Sequence, residues 1–249
     1  MHGLQDLAIF GAGLAAGSIN AVMGSGSLIT FPTLLAFGYP ALLANMSNTV
    51  GLVPGSVSGA IGYRRELAGM KPYLIKLGLA GIAGGITGSI VLFVLPGHVF
   101  RRVVPVLIIF ACALLAAQPW LSRHLEDRRS SGKVNRGRGV TTGIYLTGIY
   151  GGYFGAAQGV LLVAILATFL PIGIQQANAI KNVLAALVNG VAALLFIAFG
   201  HIAWEVSALL AVGSIIGGQV GSIYGRKIPP GVLRFVIVIG GTAVGIALL

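Results

Sequence analysis

Lys181 is the only formally charged residue between positions 139 and 204, inside a run that is otherwise largely apolar. A lysine near the centre of a membrane helix costs about 2.5–3.5 kcal/mol on insertion scales, so its presence needs a reason. Asn178 and Asn182 flank it, and positions 178, 181 and 182 share one helical face. Asn45, Asn48 and Thr49 form a second face with the same spacing. An ammonium among amides and hydroxyls, with no acid beside it, suits a small anion. Two plainer readings compete. Lys181 lies towards one end of its helix, where a lysine can snorkel to the interface. Asn and Thr faces also serve as hydrogen-bonding glue between helices.

Two glycine-containing breaks add a second ingredient. Gly24-Ser25-Gly26-Ser27 interrupts the first apolar run, and Gly155-Ala156-Ala157-Gln158-Gly159 interrupts a later one. A helix restarting after a break presents unpaired N–H groups and the positive end of its dipole. Such ends bind anions. Ser25, Ser27 and Gln158 add hydroxyl or amide groups, while Gly26 and Gly159 allow close approach to the backbone. Close helix packing is the competing reading for membrane glycines. It fits Gly81–Gly88 and Gly213–Gly221 better than the breaks. The expected substrate-binding set is Ser25, Gly26, Ser27, Asn45, Asn48, Thr49, Gln158, Gly159, Asn178, Lys181 and Asn182.

Other chemistries lack their parts. Asp6, Glu66, Glu126, Asp127 and Glu205 fall at span ends or in loops, so a carboxylate proton relay is unsupported. A cation held by carbonyls at the breaks stays open. The histidines at 2, 98, 124 and 201 also lie near span ends, leaving Ser25 and Ser27 without the positioned base a nucleophile needs. Cys112 is the single cysteine, which makes neither an internal disulfide nor a metal site. No enzyme, cofactor or metal is expected.

The elements that hold these residues follow from composition. Of 249 residues, 56% are hydrophobic and 8% charged, against roughly 25% charged in soluble domains. The mean hydropathy is +0.95. These figures exclude a soluble globular enzyme. The net charge of +11 falls in short clusters between apolar runs, the pattern of cytoplasmic loops rather than of a nucleic-acid surface. Chargeless stretches cover 7–63, 77–100, 103–122, 139–180, 182–204, 206–225 and 235–249. A span needs about 20 apolar residues. The first stretch divides into helices 5–23, 27–37 and 41–63, and the second half into 140–154, 160–170 and 175–199. Helix 27–37 rises only ~17 Å, short of a ~30 Å hydrocarbon core. Its break must therefore face protein or a water-filled cavity.

The two halves match internally. At a shift of 133, Ala44–Val50 falls on Ala177–Val183 and Gly84–Ile90 on Gly217–Ile223. Near the breaks a shift of 135 places Gly13, Gly17 and Gly24 on Gly148, Gly152 and Gly159. Arg64, Arg65 and Lys71, and Arg123 through Arg138, mark two loops as cytoplasmic, with Arg226 and Lys227 joining them. The loop near 200–205 lacks Lys and Arg and reads as external; Arg101 and Arg102 conflict mildly with this sidedness. Equivalent loops on opposite sides mean inverted repeats, a transporter architecture with its site at the midplane. The expected fold is an all-α polytopic membrane protein of two inverted repeats. Each repeat has three full transmembrane helices plus a broken or re-entrant short-helix pair, giving about 8–10 spans in total. The expected division is a first repeat at 1–120, a basic cytoplasmic linker at 121–139 with Ser130-Ser131-Gly132 as its flexible middle, and a second repeat at 140–249.

These residues resemble the sulfite exporter TauE/SafE family. Gly24-Ser25-Gly26-Ser27-Leu28 through Phe31-Pro32-Thr33-Leu34 looks like its first-repeat pattern, with Gly-Ser-Gly-Ser where the family often has Gly-x-Gly-Gly-Gly. Ala44–Val50 and Gly55–Arg64 continue it. Gly151–Gly155, Gln158-Gly159 and Ala177–Asn182 are similar to its second repeat. The resemblance implies transport of sulfite, sulfonates, sulfoacetate-like compounds or related organic anions across the cell (inner) membrane. The expected function is a secondary transporter of a small anion working by alternating access. An anion channel or uniporter, and a carrier of another small organic anion, remain alternatives. The expected partners are that anion and the lipid bilayer, with no nucleic acid; a homodimer is an open assembly.

Overall fold

The computed structural model describes residues 2–130, 138–224 and 230–247, and among them there are ten α-helices and no strand. The first half holds α1 (His2–Val22), α2 (Ser27–Ala36), α3 (Ala41–Gly62), α4 (Lys71–Val94) and α5 (Gly97–Ser130). The second holds α6 (Arg138–Tyr153), α7 (Gln158–Phe169), α8 (Ile174–Phe199), α9 (Trp204–Tyr224) and α10 (Pro230–Ala247). Four stretches are long and apolar enough to cross a membrane: Lys71–Val94, Gly97–Trp120, Ile174–Phe199 and Trp204–Tyr224. Their outer faces carry exposed Leu79, Val94, Val106, Leu194 and Val212, which suits a lipid surrounding. The protein is a multi-pass membrane protein. Trp120 and Trp204 lie exposed at span ends, as interface anchors do.

Glycine sets the helix contacts. Gly13 and Gly17 of α1 lie against the backbone of Leu210 and Ser214 in α9, and Gly213, Gly217 and Gly221 of α9 lie against the backbone of α1. Gly84 and Gly88 of α4 meet the backbone of α6 in the same way. Small residues every fourth position let backbones touch, and dispersion then replaces the hydrophobic drive that lipid removes. Polar cross-links add to this: Ser214 Oγ donates to Gly51 O at 3.0 Å and Ser207 Oγ to Ser47 O at 3.0 Å.

The order of these contacts fixes helix direction. Gly13 meets Leu210 and Gly17 meets Ser214, so α1 and α9 run the same way. Gly51 near Ser207 and Gly62 near Ser222 add α3 to that group. Gly84 near Tyr145 with Gly88 near Ile149, and Gly78 near Leu187 with Gly85 near Val191, make α4, α6 and α8 parallel. Gly200 against Met46 and Asn182 beside Gly59 show that α3 and α8 oppose each other. Because α1 and α3 are parallel, the short α2 joining them runs back to the end where α1 began. By the same logic α7 returns to the end where α6 began. Each broken pair is a hairpin that turns inside the bundle.

One register differs from the sequence reading. Gly221 lies against Ser18 O, and its counterpart Gly88 lies against Ile149 O. Gly24 and Gly155 both turn their hairpins with φ near +75° (+73° and +77°). The shift between α1 and α6 is therefore 131 (149 − 18, and 155 − 24), not 135. The difference of four is about one helical turn. Glycine recurs every four residues in both helices (13 and 17, 148 and 152), so matching by glycine slips by that turn.

Helix α5 runs on to Ser130, ten residues past Trp120. Nothing between them stops it, since residues 121–130 contain neither glycine nor proline. Ser131 and Gly132, expected as a flexible middle, lie outside the described residues, as do Arg226 and Lys227. Arg64, Arg65 and Lys71 stand at the end of the bundle where α6 begins, and exposed Arg101 and Arg102 stand at the other.

Candidate functional site

Where α1 stops at Val22, Asn20 O still accepts from Gly24 N–H at 3.1 Å, but the last carbonyls run short of helical donors. Lys181 supplies one. Its Nζ donates to Asn20 O at 2.7 Å and to Ala21 O at 3.1 Å. Asn182 Nδ2 also donates to Ala21 O at 3.1 Å. A cation at a helix C-terminus answers the negative end of the dipole. Lys181 is 0% exposed. Its ammonium is turned into the bundle, so snorkelling to the interface does not describe it. An ammonium has three donors, and the two carbonyls use two.

Lys181 and Asn182 border a small polar cavity with Ser27, Gln158 and Gly159 of the expected set. Asn20, Gly24, Ser56, Gly155, Ala185 and Asn189 complete its wall. No Asp or Glu borders it. Gln158 is 2% exposed, and neither Nε2 nor Oε1 has a partner. Its amide lies over Gly151, where any Cβ would collide with it. The cavity is about 20 Å³, room for one water-sized guest. Much of its wall comes in matched positions from the two halves: Gly24 with Gly155, Ser27 with Gln158, and Ser56 with Asn189. The hairpin tips touch beside it. Gly159 N–H donates to Gly24 O at 3.1 Å, and a Cβ on either glycine would overlap the other's backbone.

The rest of the expected set lies elsewhere. Asn45 Nδ2 donates to Tyr153 O at 3.1 Å, capping α6 as Lys181 caps α1. Asn48 Oδ1 accepts from Thr30 Oγ1, tying α3 to α2. Thr49 Oγ1 donates to Asn45 O, four residues back in its own helix, at 3.0 Å. Asn45 and Asn48 cross-link helices, Thr49 bonds within α3, and none of the three borders the cavity. Asn178 is half-buried and Ser25 fully buried, and neither borders it; Ser25 Oγ has no partner. The backbone donors at the breaks are largely taken. Gly26 N–H is held by Asn20 Oδ1 at 2.7 Å, and Leu28 and Ile29 N–H by Ser25 and Gly26 carbonyls. Gln158, Gly159 and Val160 N–H bond Gly155, Gly24 and Ala157 carbonyls. Free donors therefore come from side chains, Lys181 and Gln158 foremost, rather than from helix N-termini. Sequence reading missed Asn20, Ser56 and Asn189. Ser56 and Asn189 were findable, being polar at both members of the 133 shift; Asn20 carried no signal beyond its place in the last turn before a break.

Set beside known proteins, residues 9–248 match the model of the family described as "Sulfite exporter TauE/SafE". A "probable membrane transporter protein ORF9" of Sinorhizobium sp is 29% identical, with 99% of this chain and 95% of that protein covered. The "probable membrane transporter protein YfcA" of Escherichia coli K12 is 27% identical, covering 86% of this chain and 78% of that protein. A "probable membrane transporter protein" of Haemophilus influenzae is 27% identical, covering 88% of this chain and 85% of that protein. No solved structure matches the chain significantly.

Proposed function

The chain belongs to the sulfite exporter TauE/SafE family of membrane transporters, and on that premise we propose that it carries a small anion through the Lys181 cavity by alternating access. The carrying observation is a cavity lined by fully buried Lys181 and by Gln158, whose buried amide is unpaired, with no acid in the wall. That environment favours negative charge, because a buried cation costs least when a counter-charge meets it. The family description makes sulfite, organosulfonates and sulfoacetate-like anions the first substrates to test. The cell (inner) membrane is the expected location.

Alternating access draws support from geometry. Repeat-related helices run in opposite directions: α3 opposes α8, and α5 opposes α10, with Gly241 against Cys112 and Gly245 against Ile109. Opposed directions of this kind, with the hairpins entering from opposite ends, support an inverted-repeat reading. The cavity is too small for a sulfonate, so a tip must move before one enters. The touching glycines Gly24 and Gly159 are where the two hairpins would part.

The test is sulfite flux in proteoliposomes with and without sulfite preloaded inside. A carrier exchanges faster than it fills, so preloading accelerates uptake. Uptake indifferent to preloading identifies a channel or uniporter instead, and no uptake of any sulfur anion or carboxylate removes the reading.

A further inference from the structure

With the hairpin tips touching, the Lys181 cavity has room for a guest about the size of one water. Its charge is nonetheless incompletely met. Lys181 touches two carbonyl dipoles, which carry fractional charge, and no carboxylate borders the cavity. Gln158, a residue of the same wall, has a buried Nε2 without a partner. Resting on the anion-site reading above, we propose that this closed conformation, in which the hairpin tips touch, binds a single halide ion, chloride in a cell, between Lys181 and Gln158.

Three features select a halide over its rivals. A metal cation would face the ammonium at close range without an acid to offset the repulsion. A neutral water satisfies the amide but leaves the ammonium without a counter-charge. An oxyanion meets both but does not fit until the hairpin tips separate. A halide is close to water in size, carries one negative charge and accepts from several donors at once. The inference gives the closed state a ligand of its own. Chloride and the transported anion then compete for Lys181, and chloride holds the empty carrier shut while oxyanion binding requires opening.

The purified protein in detergent is titrated with sodium chloride at constant ionic strength, with sodium gluconate as the balancing salt, and its unfolding temperature is followed. A ligand of the folded state raises Tm with its concentration. The expected result is a saturable rise of a few °C, reproduced by bromide and absent in Lys181→Gln. Gln158→Leu, which keeps the ammonium and its carbonyl contacts, is expected to shift the chloride midpoint at least about tenfold, the worth of a hydrogen bond to a charged group. It also guards against a Lys181→Gln variant that fails to fold. A flat titration, an equal rise with gluconate alone, or an unchanged midpoint in Gln158→Leu overturns the inference. Sulfite flux measured in chloride-free gluconate separates the two ideas. Flux with no chloride response leaves the transporter and removes the halide site. A chloride response with no flux does the reverse.

Discussion

Lys181 does two jobs that one substitution can separate. Its contacts to Asn20 and Ala21 hold the end of α1, and its charge sets the sign of the cavity. Lys181→Met removes both; Asn20 O keeps the Gly24 N–H and Ala21 O keeps Asn182 Nδ2, so neither carbonyl is orphaned and the cost is that of the lost charged hydrogen bonds, about 1.5–3 kcal/mol. Lys181→Gln keeps a donor near the carbonyls and removes the charge. Its expected signature is near-normal yield and unfolding temperature with substrate affinity lowered at least about tenfold, read as KM for flux. Thr30→Val is the matching control. It breaks the bond to Asn48, which lies away from the cavity. It should lower stability by about 1 kcal/mol and leave KM unchanged. A changed KM in Thr30→Val would return Asn48 to the substrate site.

At the scale of elements, glycine position decides outcome more than glycine count. Gly24 and Gly38 both sit at positive φ (+73° and +84°), but a Cβ meets Gly159 at the first and nothing at the second. Gly38→Ala should therefore cost only the backbone term, about 1–2 kcal/mol. Gly24→Ala adds a collision between hairpin tips, and transport should fall steeply even where folded protein is recovered. The two measurements are unfolding temperature and flux on the same preparations. Much of this level was legible in sequence. Glycine and proline punctuation marked both breaks, and charge spacing marked the long spans. The four-residue slip between α1 and α6 was not, because both helices repeat glycine at the same interval. Nor was the parting of the two polar faces. Identical spacing showed that Asn45, Asn48 and Thr49 match Asn178, Lys181 and Asn182. It could not show that Asn48 and Asn45 of the first set are spent on tying α2 and α6, and Thr49 on its own helix, while Lys181 and Asn182 of the second line the cavity. Backbone donors at the breaks misled for a related reason, since Asn20 and Gly24 occupy them from outside the local sequence.

For the whole molecule, the parallel and opposed helices sort the loops between two ends. Glu66 lies in the loop after α3, at the end where α6 begins, and His201 lies between α8 and α9 at the other. The basic residues Arg64, Arg65 and Lys71 make the first end the expected cytoplasmic one. In a Cys112→Ser background, Glu66→Cys should react with a membrane-impermeant thiol reagent only in inverted vesicles, and His201→Cys only in intact cells. The opposite pattern would invert the topology, with Arg101 and Arg102 then on the cytoplasmic side.

The central claim is that the cavity between the two hairpins, charged by Lys181, is where an anion is carried. Sulfite uptake into proteoliposomes by the wild type, Lys181→Gln and Thr30→Val, reconstituted at equal density, tests it most directly. The account predicts full uptake for the wild type and Thr30→Val and, for folded Lys181→Gln, a KM raised at least about tenfold. Equal KM in all three proteins would contradict it.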